Sequence, residues 1–317
     1  MKKIILQQII TFLFIMVLQT GLSDDAMAGN TKGSSVISDR SIIGFMHPES
    51  VAFDPKDNVL YVSQFGSILN PTLKDGKGTI SKVSLKGTII EDNIFAASGY
   101  TLNKPKGIWI KNGKLWVADI DLVWIFDLKT LQGRKIDLPG AIFANDLTVI
   151  DNNLFISDSS GKKIYRVQPA DFSEQNIKPR VSLFANDLFF GPNGLCPGQD
   201  GSLFAVGFDM NGSDQGLYSF NKNGTPKTHV AKTHIPKTHI KDLGMLDGLV
   251  QLKTGCFLIT DWKSKTLLKY SQVSGIKNLA GGFEGPADFC IINEGDKLLV
   301  AVPDLVKSEI RLIRIAK

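Results

Sequence analysis

The sequence has little of what would indicate a helical protein or a membrane protein. Beyond its N-terminus, no stretch shows apolar residues that recur every 3.6 positions. No later segment approaches the length of a membrane-spanning helix. The net charge is only +5, and 227–241 is the one locally basic stretch. The charge pattern therefore gives no reason to expect a nucleic-acid or membrane partner.

Cysteine is also scarce, with only Cys196, Cys256 and Cys290 in 317 residues. All three lie in apolar segments that resemble strands. An odd number leaves at least one free thiol in an exported chain. We expect buried, unreactive thiols, and one disulfide between two of the three is the alternative.

The N-terminus predicts export. Lys2 and Lys3 precede an apolar run over 4–18, and Ala26-Met27-Ala28 provides a small-residue cleavage site. An uncleaved anchor is the alternative, although the run is short for a bilayer span. We therefore predict a signal peptide over 1–28, a leader over 29–40 and one domain over 41–317. The mature protein is expected in the periplasm or outside the cell.

What the sequence does contain is one pattern repeated six times. Each copy begins with a short segment that turns from polar to apolar, over 48–53, 105–110, 144–149, 192–197, 246–251 and 286–291. An apolar second segment follows, over 60–64, 115–119, 154–158, 203–206, 257–261 and 298–302. Turn signals such as Asn112-Gly113 and Asp200-Gly201 separate the two segments.

Repeats of about 40 to 57 residues, each with four short strands, are typical of propeller blades. Six copies predict an all-β fold, a six-bladed β-propeller with four-stranded blades. The last copy has room for only three strands before the chain ends. We therefore expect 41–45 to supply the outer strand of blade six and close the ring.

The first strand of each blade lines the channel of a propeller. One equivalent position at the start of these strands holds a mixed set of residues: Glu49, Lys106, Asn145, Asn193, Asp247 and Ala287. Two carboxylates and two carboxamides from four blades are oxygen ligands that suit Ca²⁺, which takes six to eight oxygens. We predict that Glu49, Asn145, Asn193 and Asp247 hold one Ca²⁺ and leave coordination positions open.

This ordered set resembles the regucalcin/gluconolactonase family and, more distantly, diisopropylfluorophosphatase and the paraoxonases. The similar strings are Asn145-Asp146, Asn193-Gly194 and Asp247-Gly248, with Glu49 in the first blade. The resemblance extends loosely over the whole mature chain. It implies a single catalytic Ca²⁺ in the channel, held by those four residues. A propeller like those of NHL repeats, whose channel groups only bind water, is the alternative.

The sequence departs from the family in two places. Lys106 puts a cation into the ring, where it could stabilise an oxyanion or contact substrate, or extend to solvent at the channel mouth. The channel histidine of the diisopropylfluorophosphatase-like enzymes has no counterpart, because Ala287 and Asp288 stand there.

Two classes of function follow from this set. The first is a Ca²⁺-dependent hydrolase that acts on a small lactone or ester. Its ion polarises the substrate carbonyl, while Asp247 or a bound water supplies the base or nucleophile. The second is a non-catalytic propeller that binds a ligand or a protein partner.

Other residues near the ring have two interpretations each. His47 could act as a general base or be a surface-loop histidine. His229, His234 and His239 form a five-residue repeat, which indicates either a metal tract or, more simply, a duplicated loop. The carboxylates that end second strands could line the rim or cap turns: Asp119, Asp158 and Asp261. The insertion over 65–78 is long enough for a lid and should border the channel.

Overall fold

The computed structural model describes residues 36–208, 216–220, 226–229 and 244–317. These residues form antiparallel strands and loops, and the described part contains no helix. No described helix could therefore cross a membrane. The strands in chain order are β1 (Val36–Ile43), β2 (Pro48–Asp54), β3 (Val59–Gln64), β4 (Thr79–Ser84), β5 (Ile89–Glu91), β6 (Pro105–Lys111), β7 (Lys114–Asp119), β8 (Leu122–Asp127), β9 (Gly133–Asp137), β10 (Ala144–Ile150), β11 (Asn153–Asp158), β12 (Lys163–Gln168), β13 (Arg180–Ala185), β14 (Pro192–Pro197), β15 (Leu203–Gly207), β16 (Leu217–Phe220), β17 (Pro226–His229), β18 (Leu246–Gln251), β19 (Phe257–Asp261), β20 (Thr266–Ser271), β21 (Gly275–Ala280), β22 (Cys290–Glu294), β23 (Lys297–Asp304) and β24 (Glu309–Ala316).

The strands form six four-stranded sheets, which confirms the predicted six-bladed propeller. In blades one to five the strand order follows the sequence: β2-β3-β4-β5, β6-β7-β8-β9, β10-β11-β12-β13, β14-β15-β16-β17 and β18-β19-β20-β21. Neighbouring first strands contact one another around the centre, as in the pairs β2 with β6, β10 with β14 and β14 with β18. The first strands therefore line the channel, as the repeat predicted.

The sixth blade combines both ends of the chain, in the order β22-β23-β24-β1. Strand β1 pairs antiparallel with β24, from Val36 opposite Ile315 to Ile43 opposite Glu309. The predicted closure by an N-terminal strand is thus confirmed. The strand begins at Val36, however, and takes in part of the segment expected to be a leader. Alternation of exposed and buried residues is weak over 36–41, which hides the strand from a periodicity test.

The core is divided among the interfaces between blades. Six buried apolar clusters each combine residues of two neighbouring blades, and together they join every blade to the next. The cluster between blades six and one contains Ile42, Leu60 and Leu312, so the closing strand is part of the core. All three cysteines are free thiols; Cys196 is buried as expected, whereas Cys256 and Cys290 are half-buried. Burial raises the pKa of the Cys196 thiol, which makes it a weak nucleophile.

Candidate functional site

A β-bulge marks the ring position in the first strand of the first five blades. The pairing with the second strand shifts between Pro48 and Ser50 and again at the equivalent places, Pro105/Ile108, Ala144/Leu147, Pro192/Leu195 and Leu246/Leu249. The predicted ring residues lie inside these shifts. Bulges turn side chains away from the regular alternation and are common next to active sites. The bulges therefore let the ring side chains face the channel.

Hydroxyl groups of the second strands stabilise three of these bulges. Ser63 Oγ accepts the Ser50 amide N–H at 2.9 Å and donates to the Lys106 carbonyl at 2.7 Å. Thr260 Oγ1 does the same in blade five, with the Gly248 N–H and the Ala287 carbonyl. Ser157 Oγ accepts the amide N–H of Asp146. These hydroxyls satisfy backbone groups that the bulge removes from the ladder, and two of them tie one blade to the next.

The carboxylates at the ends of the second strands cap the loops beside the ring. Asp119 accepts the amides of Asn103 and Lys104, both at 2.8 Å, in the loop that leads into β6. Asp158 accepts the amide N–H groups of residues 142 and 143. Asp261 accepts hydrogen bonds from the turn that follows β19. Of the two interpretations, capping accounts for their hydrogen bonds. Asp304 caps the corresponding loop of blade six, although it lies outside the second segment that the repeat predicts there.

The structure brings the predicted oxygen ligands together in one buried group. Asn145 Nδ2 donates to Asn193 Oδ1 at 2.7 Å, and the Asn193 side chain lies close enough to Asp247 to oppose the rise of its pKa. Glu49 lies close enough for its charge to interact with that of Asp247. All four side chains are at most 6% exposed. The predicted set is therefore a physical neighbourhood built from blades one, three, four and five.

Two carboxylate oxygens in this group have no hydrogen-bond partner, Glu49 Oε2 and Asp247 Oδ1. The second oxygen of Asp247, Oδ2, accepts a hydrogen bond from Trp262 Nε1 at 2.8 Å. This bond fixes the carboxylate and leaves Oδ1 free. Unpartnered oxygens of buried carboxylates are costly, so a cation at this position would remove an unfavourable feature of the site.

Burial also raises the pKa values of the carboxyl groups of the site, because it disfavours their charged forms. Burial, followed by repulsion from Asp288, raises the pKa of Asp247 to about 8. Burial, followed by repulsion from Asp247, raises the pKa of Glu49 well above its usual range. Asp247 is therefore expected to hold a proton near neutral pH unless a cation compensates its charge.

Lys106 lies fully buried in the ring. Its Nζ donates to the Lys104 carbonyl at 3.2 Å and lies 4.7 Å from the centre of the Phe143 ring. It forms no ion pair with any described carboxylate, and burial lowers its pKa to about 8. The Lys106 side chain therefore does not extend to solvent at the channel mouth, which was one of the two interpretations of this residue.

The insertion over 65–78 borders the ring, as expected. Lys104 Nζ holds it by hydrogen bonds to the Phe65 carbonyl at 2.8 Å and to Asp75 Oδ2 at 2.9 Å. The Phe65 ring lies 5.6 Å from Lys106 Nζ. Phe65 also packs in an apolar cluster of four blades on the ring side, made of Phe65, Leu69, Phe208, Met245, Trp262, Leu305 and Val306. The insertion is thus part of the wall around the site.

A second polar layer lies one residue further along the first strands, and sequence reasoning missed it as a layer. Asp146 and Asp288 are both buried there, and Ser50 Oγ donates to Asp288 Oδ2 at 2.5 Å. Ser50 is the equivalent residue of blade one, and blades two, four and five have glycines there: Gly107, Gly194 and Gly248. A Cβ at Gly107 would collide with Asp146. The signal that could have found the layer is the pair of Asp residues at the position after the ring.

Of the histidine side chains, the structure describes that of His47. His47 Nδ1 is 3.0 Å from the Leu305 carbonyl, so this ring nitrogen binds backbone of blade six. His229 ends β17, whereas His234 and His239 lie outside the described residues, as does the predicted signal peptide.

The donor set suits a hard divalent cation. Among the described residues there is no cluster of three or more His, Cys, Asp and Glu side chains that would hold a metal without help. The set instead combines two carboxylates with two carboxamides. Asn193 Oδ1 accepts one hydrogen bond and keeps a second lone pair. Oxygen ligands alone, with net negative charge, fit Ca²⁺ better than zinc or copper.

No family model matches the chain, and no curated protein matches it. Solved structures do. A streptogramin B lyase has a TM-score of 0.59 at 13% identity and covers 90% of this chain and 100% of its own. A provisionally named gluconolactonase has a TM-score of 0.61 at 15% identity, with coverage of 87% and 91%. The virginiamycin B lyase of Staphylococcus aureus has a TM-score of 0.58 at 15% identity, with coverage of 88% and 99%.

At these identities the likeness establishes the fold alone. The chain shares its propeller fold with proteins named as a gluconolactonase and as lyases, so the resemblance drawn from the repeat is confirmed at the level of the fold.

Proposed function

We propose that this protein is a calcium-dependent hydrolase of lactones or related esters of small molecules. The observation that carries the proposal is the pair of buried, unpartnered oxygens, Glu49 Oε2 and Asp247 Oδ1, beside Asn145 and Asn193. When bound there, Ca²⁺ would polarise the substrate carbonyl. Export to the periplasm or the medium belongs to the same proposal, because Ca²⁺-dependent sites of moderate affinity suit extracellular calcium.

The residues of the chain have distinct roles in this proposal. Asp247 Oδ1 takes a proton from water, whose oxygen adds to the carbonyl carbon; the acyl C–O bond then breaks and the alkoxide takes the proton. Trp262 holds Asp247 in one orientation for this step. Lys106 lies in the same ring and could donate to the developing oxyanion. Ala287 has the smallest side chain of the ring, so we place the substrate at the sixth blade.

The test is a hydrolysis assay with sugar lactones, aliphatic lactones, aryl esters and phosphotriesters. We expect turnover of a lactone or ester that a chelator abolishes and Ca²⁺ restores. Asp247→Asn should reduce kcat by at least about 100-fold, because it keeps an oxygen ligand but removes the base. Lys106→Ala should change KM or kcat while the folded state persists.

A panel that stays inert with Ca²⁺-loaded protein would contradict the enzyme proposal. The second function, a propeller that binds a ligand or partner without turnover, would then be favoured. The observation that favours this second function concerns His47, whose Nδ1 is bound to the Leu305 carbonyl. None of the described side chains is therefore a histidine that points into the ring as a general base.

A further inference from the structure

The far end of the channel contains a cavity that the proposed function does not use. The first strands run from the ring through the channel, so residues further along them lie nearer the opposite face. There a cavity of about 370 Å³ is lined by residues of all six blades. This volume is within the range of sites for small ligands.

The cavity walls are apolar because the repeat places an apolar residue at the same position of every blade. The residue two places after the ring position is large and apolar in every blade: Val51, Ile108, Leu147, Leu195, Leu249 and Phe289. Nearer the face, Phe53, Ile110, Val250 and Ile291 are half-buried, so the cavity opens to solvent.

The floor of the cavity carries two carboxylates, Asp146 and Asp288. Both are at least nine-tenths buried, and their charges repel each other. The lining includes no Lys, Arg or His side chain from the described part of the chain. The cavity therefore combines an apolar wall with two buried acidic groups, and no lining cation stabilises their ionised forms.

The hydrogen bonds of the floor argue against an inorganic cation here. Asp146 Oδ1 accepts the Leu147 N–H at 2.7 Å, and Oδ2 accepts the Leu195 N–H at 2.6 Å. Asp288 accepts from Ser50 and from the Phe289 amide. The surrounding walls offer hydrocarbon instead of the six or more oxygens that Ca²⁺ requires. An organic cation needs only an acceptor for its charge and an apolar surface for its body.

We propose that this cavity is a second ligand site, which binds a small organic cation with its ammonium group toward Asp288 and Asp146 and its apolar body against the six-blade wall. The ammonium group compensates the buried charge, and the carboxylate oxygens keep lone pairs that can accept its hydrogens. This site is separate from the ring and does not depend on the proposed hydrolase activity.

The test is titration calorimetry of the full chain, saturated with Ca²⁺ so that the ring is occupied. The probes are 2-phenylethylammonium chloride and its neutral counterpart 2-phenylethanol. We expect one site for the ammonium compound, with affinity at least about tenfold higher than for the alcohol, because a charged hydrogen bond is gained. Equal affinities, or no binding of the ammonium compound at millimolar concentration, would overturn the proposal.

Two variants place the binding in the cavity. Asp288→Asn should weaken ammonium binding about tenfold or more and leave 2-phenylethanol unaffected. Val250→Lys puts a cation at the cavity mouth and should have a similar effect. Val273→Lys adds the same charge at a position that is 98% exposed and outside the cavity, and should change nothing. Ammonium binding that survives both Asp288→Asn and Val250→Lys would show that the probe binds elsewhere.

Discussion

Asp247 has two oxygens in different situations, and Trp262 is the reason. The indole N–H binds Oδ2, which leaves Oδ1 without a partner in the buried ring. Groups that orient a metal ligand in this way contribute to affinity without touching the ion. In the proposed calcium site Trp262 is thus a positioning residue, and the effect of its N–H can be separated from the effect of its ring volume.

Trp262→Phe should weaken Ca²⁺ binding about tenfold, because it removes the N–H donor and keeps an aromatic ring in the cluster on the ring side. Calorimetric titration of chelator-treated protein measures the change. Trp124→Phe is the matched control, since Trp124 is also buried but its Nε1 has no partner, and its Ca²⁺ affinity should equal that of the parent. Equal losses in the two variants would assign the effect to general destabilisation.

The ring could be predicted at the residue scale because spacing within the repeat aligns Glu49, Asn145, Asn193 and Asp247. The bond from Trp262 could not, since it depends on a side-chain conformation in a loop after β19. The cavity wall was equally hidden, because Leu147 or Leu249 alone is an ordinary core residue. Only the channel geometry shows that all six equivalent residues face one space.

Strands of the blades differ in how well the sequence reveals them. The second strands are buried almost throughout, as in β3 and β11, and their apolar runs predicted their positions closely. Outer strands such as β9 and β13 are mostly half-buried and mixed in polarity, so periodicity gives no signal. In blade six the paired first strand begins at Cys290 and not at Pro286, where only an isolated bridge to Asp304 forms.

Strand β1 is the element on which ring closure depends. A chain that begins at Glu49 would lose it, together with the ion pair of Asp39 and Arg311 and the burial of Ile42. Strand β24 would then have an open edge. We expect such a chain to unfold without a single cooperative transition, as followed by circular dichroism during heating.

The control for this truncation is a chain that begins at Val36, which keeps the whole strand and should unfold like the parent. A truncated protein that starts at Glu49 and retains the parent's sharp transition and Tm would show that the closing strand contributes little to stability.

At the scale of the molecule, six interfaces of similar construction hold the blades around a channel in which buried carboxyl groups are concentrated. Burial gives Asp247 a pKa of about 8 and Asp288 a pKa of about 7, against an ordinary value of 3.8. At pH values between the ordinary pKa of 3.8 and the raised pKa of about 8, the folded protein binds more protons than the unfolded chain. The stability of the metal-free protein should therefore fall as the pH rises from about 4 to 8.

Thermal melting of chelator-treated protein measures this dependence. We expect the Tm to be several degrees higher at pH 5.5 than at pH 8, and added Ca²⁺ should raise the Tm mainly at pH 8. Asp247→Asn should reduce the difference, because one titrating group is removed. Lys106, with its pKa lowered to about 8, opposes the trend only above that pH. A Tm that increases between pH 5.5 and 8 without metal would contradict the electrostatic account.

The channel as a calcium site is the central claim, and direct titration of Ca²⁺ into chelator-stripped protein tests it. The account predicts one site per chain, with binding weakened by at least about 100-fold in Asp247→Ala and in Glu49→Ala, since each removes a buried charged ligand. Asp158→Asn, which changes a carboxylate that caps a loop beside the ring, should bind Ca²⁺ like the parent. Unchanged binding in both Asp247→Ala and Glu49→Ala, or no binding by the parent protein, would contradict the account.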